Sequence, residues 1–347
     1  MAADWAASTL PVVGAPMAGP GTPELAAAIS NAGGFGMLPA GYQPVDKLAA
    51  AIDRTRSLTE RGFGVNVFVP SPQDEARDAG AVQRYADQLA PIAQSLDAPI
   101  PAPRWDDTDS FDAKIDLLEE QRIPLVSFVF GLPPVEAVQR LHAVGTQVMA
   151  TVTDADEALA AVRGHADLLC VQGAQAGGHR GTHSVQAIPN DRSWQQLLGE
   201  VRSVTAAPLV VAGGITTASE VRLALELGAV AVQCGTAFLL TDEAGTSAAY
   251  RAGLTDDTLD ELVVTRAFSG RPARGLRNDF VDRFDAAAPS VFPIVDQLTK
   301  PMRAAATRGQ DHQLINLWAG TGWRQARSGP AADIVAELAA GLAPADG

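Results

Sequence analysis

His179 lies in a glycine-rich segment that directly follows an apolar run. A neutral imidazole can accept a proton or pair with an anion near pH 7, so His179 is a candidate base. Gly173, Gly177, Gly178 and Gly181 allow positive φ angles and bring main-chain N–H groups close to a ligand. The same pattern also fits an ordinary surface connection. If the segment is functional, it predicts a site for a flat or anionic ligand beside His179.

Other apolar runs also end in groups that could bind a ligand. These groups are Asn66, Gln172, Gly213, Gly214, Gln233, Cys234, Gly235 and Thr236. Amide side chains donate and accept hydrogen bonds, which suits the edge of an isoalloxazine ring, and paired glycines with a hydroxyl suit a phosphate. Alternatively, the glycines only permit tight turns from strand to helix. Taken together, these residues favour FMN over a dinucleotide.

Short apolar runs alternate with amphipathic stretches along the chain. The runs that we predict as strands cover residues 11–16, 35–39, 62–68, 124–130, 147–152, 167–172, 208–212 and 229–233. Eight such units in a row predict a (β/α)₈ TIM-type barrel, with an open α/β sheet as the alternative. A polar region from about 70 to 121 interrupts the pattern, and we expect its middle, 97–109, to be loop.

The composition limits the possible partners. Of 347 residues, 47% are hydrophobic, and the net charge of −14 disfavours nucleic acid and anionic membrane surfaces. The N-terminal residues do not have the pattern of a secretion signal, and no segment has the length and apolarity of a membrane span, so we expect a cytoplasmic protein. Cys170 and Cys234 lie in apolar runs, and their number and spacing fit neither a disulfide framework nor a zinc site. We therefore expect two buried thiols and no metal.

Eight segments match, in order, the motifs of a known family. They are residues 14–19 (GAPMAG), 31–36 (NAGGFG), 65–70 (VNVFVP), 172–181 (QGAQAGGHRG), 211–215 (VAGGI), 233–238 (QCGTAF), 268–275 (FSGRPARG) and 317–320 (LWAG). On these motifs the chain resembles nitronate monooxygenases, formerly called 2-nitropropane dioxygenases. The resemblance covers most of the chain.

The resemblance implies a barrel that binds FMN non-covalently and a smaller C-terminal helical domain that covers the flavin. We expect the barrel at 1–241, the covering domain at 242–300 and a helical segment returning to the barrel at 301–347. The implied reaction converts alkyl nitronates, such as propionate 3-nitronate, and O₂ into a carbonyl compound and nitrite. The implied flavin contacts are Met17, Ala18, Asn66, Gln172, Gly177, Gly178, Gly213, Gly214, Gln233, Cys234, Gly235 and Thr236. His179 falls on the family's catalytic histidine.

The expected substrate contacts are less regular. Arg180 would supply positive charge beside His179, and His183 is an alternative base in the same loop. Phe292 stands where the family pattern leads us to expect a tyrosine, so a hydroxyl donor toward the substrate is missing there. Gln175 likewise stands where many relatives have a glutamate. We expect Arg271 and Arg274 to face the flavin phosphate or an anionic substrate.

Two other classes of function remain as alternatives. One is an FMN-dependent NAD(P)H reductase of the same barrel type, either an enoyl-ACP reductase or a quinone reductase. The other is a flavin-binding barrel without catalytic activity. As the base, His179 would remove the α-proton of a nitroalkane, whereas a nitronate arrives deprotonated. Loss of His179 is therefore expected to impair nitroalkane turnover more than nitronate turnover.

Overall fold

A computed structural model describes residues 9–342 of the chain. Its strands in chain order are β1 Val12–Gly14, β2 Gly36–Pro39, β3 Phe63–Phe68, β4 Leu125–Val129, β5 Gln147–Val152, β6 Leu168–Gln172, β7 Gly178–His179, β8 Leu209–Ala212, β9 Ala231–Cys234, β10 Leu262–Thr265 and β11 Ala273–Leu276. Eight of them pair in parallel in the order β1-β9-β8-β6-β5-β4-β3-β2. A bridge between Val13 and Phe35 joins the two ends of this order. The predicted (β/α)₈ barrel is confirmed.

Helices surround the barrel and continue beyond it. They are α1 Pro23–Asn31, α2 Val45–Leu58, α3 Glu75–Ser95, α4 Phe111–Glu120, α5 Val135–Ala143, α6 Ala155–Arg163, α7 Trp194–Val204, α8 Ala218–Glu226, α9 Ala248–Leu254, α10 Asp279–Phe284, α11 Ile294–Arg308 and α12 Ala331–Leu338. Local sequence sets several of their starts. The Thr22 side chain accepts from the Leu25 N–H and Pro23 opens α1, while Thr217 and Glu220 form a reciprocal capping box at α8.

The barrel interior is filled by side chains and leaves no pore. Apolar residues at seven of the eight barrel strands, all except β3, form one buried cluster there: Val13, Phe35, Met37, Leu125, Met149, Leu168, Cys170, Val210, Ala212 and Ala231. Cys170 and Cys234 are each 1% exposed and unpaired, as the sequence predicted. Burial raises the pKa of both thiols to about 12, so they stay protonated at neutral pH. This packed interior places any ligand site at an end of the barrel.

The polar region between β3 and β4 contains the helices α3 and α4, and the loop that we predicted at 97–109 lies between them. One face of α3, with Val82, Tyr85 and Leu89, is buried against aromatic side chains of the C-terminal region. The Tyr85 hydroxyl donates to the Ala267 carbonyl at 2.6 Å. Helix α3 therefore packs against the C-terminal region, whereas α4 packs against the barrel strands.

A small antiparallel sheet connects the barrel to the C-terminal region. Its order is β10-β11-β7, and His179 of β7 pairs with Ala273 of β11. Helix α11 passes through residue 300, where we expected a domain boundary. Helix α12 adds Ile334, Val335 and Leu338 to the same apolar cluster as the barrel helices.

Candidate functional site

One cavity of about 450 Å³ opens at the C-terminal ends of the barrel strands. Its volume lies within the range of about 300–1,000 Å³ that is typical of small-molecule sites. Its walls contain His179 and every predicted flavin contact: Met17, Ala18, Asn66, Gln172, Gly177, Gly178, Gly213, Gly214, Gln233, Cys234, Gly235 and Thr236. Residues that are far apart in the sequence thus meet at one site.

His179 reaches the cavity from strand β7. Its Nε2 lies 2.8 Å from the Ser269 hydroxyl, and the Ser269 hydroxyl also donates to the Arg271 carbonyl at 3.3 Å. Burial, together with the positive charges of Arg271 and Arg303, lowers the pKa of His179 to about 3. The imidazole is therefore neutral at physiological pH.

Gln172 holds the histidine loop in place. Its Nε2 donates to the His179 carbonyl at 3.1 Å, and its Oε1 accepts from the Gly181 N–H at 2.8 Å. The side chain lines the cavity, as expected, but these two hydrogen bonds are made to the loop. Gln172 thus fixes the position of the backbone at His179 relative to the end of strand β6.

Aromatic rings pack around the imidazole on several sides. The ring centroids of Phe130, Phe292 and Trp318 lie 5.6, 5.8 and 5.6 Å from that of His179. Phe68 contacts Phe130 in turn, at 4.7 Å between centroids. This apolar wall covers part of the imidazole, and such burial is the largest cause of its low pKa.

A charged group of residues from α11 and the segment after it lies at the other side of the cavity. Asp296 Oδ1 and Arg303 Nη2 are 2.5 Å apart, and Arg303 Nη1 donates to Asn316 Oδ1 at 3.0 Å. Lys300 is exposed at the cavity mouth and makes no ion pair within residues 9–342. Since Asp296 balances Arg303, Lys300 leaves this side with a positive charge that suits an anionic ligand.

None of the three predicted substrate contacts lines the cavity. Arg180 is 1% exposed, and its Nη1 donates to the Asn190 carbonyl at 3.0 Å. His183 lies with its Nε2 3.0 Å from the Thr151 carbonyl. The third, Phe292, packs against the His179 ring without being part of the cavity wall.

The two later arginines also differ from expectation. Arg271 is fully buried, donates to the Thr182 carbonyl at 2.7 Å and lies 4.1 Å from the centre of the Phe130 ring. Arg274 Nε donates to the Ala174 carbonyl at 2.9 Å. Neither side chain lines the cavity, because both are used to attach the C-terminal region to the histidine loop. Their positive charge acts on the site only through space.

The sequence analysis missed several residues of the site. They are Tyr42, Ser269, Asp296, Lys300, Arg303, Asn316 and Trp318. Ser269 and Trp318 lie inside motifs that carried the resemblance, so the signal for them was present. Tyr42 and the charged residues of α11 have no such signal, because only the docking of the C-terminal region brings them to the cavity.

The glycine-lined end of the cavity fits a phosphate-bearing flavin. Gly213 and Gly214 have φ angles of +128° and +70°, and a Cβ added at Gly214 would lie 2.4 Å from Thr321 Oγ1. The Gln233 Oε1 atom is buried and has no hydrogen-bond partner within residues 9–342. A flavin ring N–H that donates to this amide oxygen would give it the missing partner.

Within residues 9–342 there is no group of three or more His, Cys, Asp or Glu side chains arranged to hold a metal ion. Across the same residues, every helix is too short or too polar to cross a bilayer.

The fold and the site define this chain as a (β/α)₈-barrel enzyme, an oxidoreductase. A family model described as nitronate monooxygenase matches residues 2–341. The chain therefore belongs to the nitronate monooxygenase family, and the family predicted from the motifs is confirmed.

Individual relatives agree with this assignment. A probable nitronate monooxygenase of Staphylococcus aureus strain Newman is 34% identical over 333 residues, which are 94% of this chain and 93% of the relative. The crystal structure of a nitroalkane oxidase from Streptomyces ansochromogenes is similar with a TM-score of 0.93 and 43% identity over 97% of both chains. FabK from Thermotoga maritima is similar with a TM-score of 0.74 and 25% identity, over 96% of this chain and 93% of that one.

Proposed function

We propose that this chain binds FMN and oxidises alkyl nitronates with O₂ to a carbonyl compound and nitrite. The observation that carries the proposal is the neutral imidazole of His179, which packs against three aromatic rings in a cavity whose other side bears the Lys300 cation. Such a cavity attracts a small anion and leaves it beside a hydrogen-bonding group.

The family's general dependence on flavin and the cavity walls support FMN as the cofactor. Gly213, Gly214, Gly235 and Thr236 would hold its phosphate, while Asn66 and Gln233 would face polar atoms of the ring. When bound, the flavin supplies reversible electron transfer between the nitronate and O₂. The protein supplies binding, orientation and exclusion of water.

Ser269 sets which nitrogen of His179 acts. The hydroxyl proton of Ser269 is directed to the Arg271 carbonyl, so Ser269 accepts a hydrogen bond from His179 Nε2–H. Nδ1 then carries the lone pair. For a nitroalkane, Nδ1 takes the α-proton, and the aromatic wall keeps bulk water from competing for it. For a nitronate no proton has to be removed, and the imidazole serves to hold the anion.

The low pKa of His179 favours the nitronate as substrate. An imidazole with a pKa of about 3 holds a proton weakly, so it is a poor base for removing the α-proton of a neutral nitroalkane. An anion that arrives already deprotonated does not need this step. The proposed order of preference is therefore nitronate over nitroalkane.

The test is anaerobic stopped-flow absorbance of the purified flavin-loaded protein, mixed separately with propionate 3-nitronate and with NADH. We expect the flavin bands to change rapidly with the nitronate and to stay unchanged with NADH. Nitrite formation after addition of O₂ provides the second readout. Full bleaching by NADH alone would instead favour the reductase alternative.

One variant completes this test. His179→Ala is expected to reduce nitroalkane turnover more than nitronate turnover, because only the nitroalkane must lose a proton to a base. Equal loss with both substrates would contradict the role of base. A protein that cannot be loaded with FMN at all would refute the cofactor assignment.

A further inference from the structure

Tyr42 is held in an unfavourable backbone conformation at the cavity wall. Its φ angle is +64°, in the left-handed region that a bulky side chain seldom adopts. Its N–H donates to Asp109 Oδ1 at 3.1 Å, and Asp109 Oδ2 lies 2.7 Å from the ammonium of the buried Lys114. Lys114 also donates to the Ala40 carbonyl at 2.8 Å. An ion pair between the buried Lys114 and the half-buried Asp109 thus keeps Tyr42 in place against the conformational cost.

The hydroxyl of Tyr42 is a second unfavourable feature of this residue. The oxygen is shielded from solvent and has no hydrogen-bond partner within residues 9–342. A buried hydroxyl without a partner destabilises a protein, so phenols in such places normally find one. Two unfavourable features at one cavity residue indicate a role in binding rather than in folding.

The position of Tyr42 identifies what it could bind. Its ring lies 6.2 Å from that of Phe292 and 5.1 Å from that of Phe68, and Phe292 in turn contacts His179. The Lys300 ammonium lies 5.8 Å from the centre of the Tyr42 ring. The phenol therefore lies between the imidazole and the cationic mouth, along the side of the cavity where an anion would be attracted.

We propose that the Tyr42 hydroxyl donates a hydrogen bond to an oxygen of the anionic substrate and replaces the hydroxyl that Phe292 lacks. This inference rests on the proposed function. Burial and the Asp296 carboxylate raise the pKa of Tyr42 well above its usual range, so the phenol remains protonated and able to donate. Tyr42 is thus a specificity-determining residue supplied by the loop after β2.

The experiment compares Tyr42→Phe with the flavin-loaded wild type, using ethylnitronate and propionate 3-nitronate. We expect KM to rise roughly tenfold, as for loss of a hydrogen bond to a charged group. The melting temperature of the substrate-free variant should stay the same or rise by about 1–2 °C, because an unpaired buried hydroxyl is removed. A rise of KM with both nitronates assigns the bond to the nitronate group, and a rise with propionate 3-nitronate alone assigns it to the tail carboxylate.

Two further variants make the test specific. Tyr42→Phe combined with Phe292→Tyr should restore KM to within about threefold of the wild type, because the hydroxyl returns from the neighbouring ring. Tyr85→Phe is the matched control, since the Tyr85 hydroxyl has the Ala267 carbonyl as its partner and lies away from the cavity. It should lower the melting temperature and leave KM unchanged.

Failure of this inference can be told from failure of the proposed function. An unchanged KM for both nitronates in an active Tyr42→Phe enzyme would overturn the role of Tyr42 alone. A clear drop in the melting temperature of Tyr42→Phe would do the same, because it would show that the hydroxyl is already satisfied in the folded protein. A wild type that turns over neither nitronate would overturn the proposed function and this inference with it.

Discussion

The protonation of His179 should make the protein less stable in mild acid. In the unfolded chain a histidine has a pKa of about 6.5, whereas burial and the nearby arginines lower the pKa of His179 to about 3 in the folded state. Below pH 6.5 the unfolded chain binds a proton that the folded chain does not bind. The free energy of unfolding therefore falls as the pH falls from 6.5 toward 3.

The size of this effect follows from the two pKa values. Between pH 7.5 and pH 5.0, protonation of the unfolded imidazole lowers the free energy of unfolding by about 2 kcal/mol. This figure changes by only about 0.2 kcal/mol if the folded pKa is anywhere below about 4.5, because the folded imidazole is then still neutral at pH 5.0. The prediction thus depends on the direction of the shift more than on its size.

The perturbation is His179→Gln, which keeps a polar side chain but does not titrate. Urea unfolding of the flavin-loaded wild type and variant at pH 7.5 and 5.0 gives the pH-dependent loss for each protein. The wild type should lose about 2 kcal/mol more than the variant. His165→Asn is the control, because His165 is exposed and lies before β6, at the opposite end of the barrel. Equal losses in wild type and His179→Gln would refute the argument that the imidazole is held neutral by its surroundings.

Three further variants test other parts of the site. Ser269→Ala should lower nitroalkane turnover roughly tenfold and nitronate turnover less, measured as nitrite release, because His179 loses the partner that fixes its tautomer; an equal effect on both would argue against this role. Gly214→Val should release the flavin on gel filtration, since a side chain there meets Thr321 and the positive φ disfavours it; retained colour would place the phosphate elsewhere. Lys114→Met should cost about 3 kcal/mol in urea unfolding by leaving Asp109 unpaired, and an unchanged midpoint would show that the ion pair is not needed.

The parts of the site that sequence could predict are those encoded by local patterns. Gly213, Gly214 and Thr236 follow directly after strands, and parallel strands of a barrel end at the same face, so their meeting at one cavity follows from the fold. His179 was found in the same way. The eight strands were also predicted within a few residues, because each is a short apolar run between turn residues.

The parts that sequence could not predict depend on long-range packing. Helix α11 contains Asp296, Lys300 and Arg303, and its amphipathic sequence is typical of a surface helix. These residues line the cavity only because the helix packs over the barrel. Arg180 was misjudged for the converse reason. A loop arginine is usually solvated, but here the loop folds over it and leaves it buried.

The pairing of His179 with Ala273 has a consequence for the synthesis of the protein. The strand that fixes the histidine is translated 94 residues after it, which takes roughly 5–19 s at about 5–20 residues per second. Throughout that interval the nascent barrel exposes its histidine loop without the strand against which it is ordered. The cavity around His179 is therefore completed only after the C-terminal region has been synthesised and has folded onto the barrel, because Ser269, Lys300 and Trp318 belong to that region.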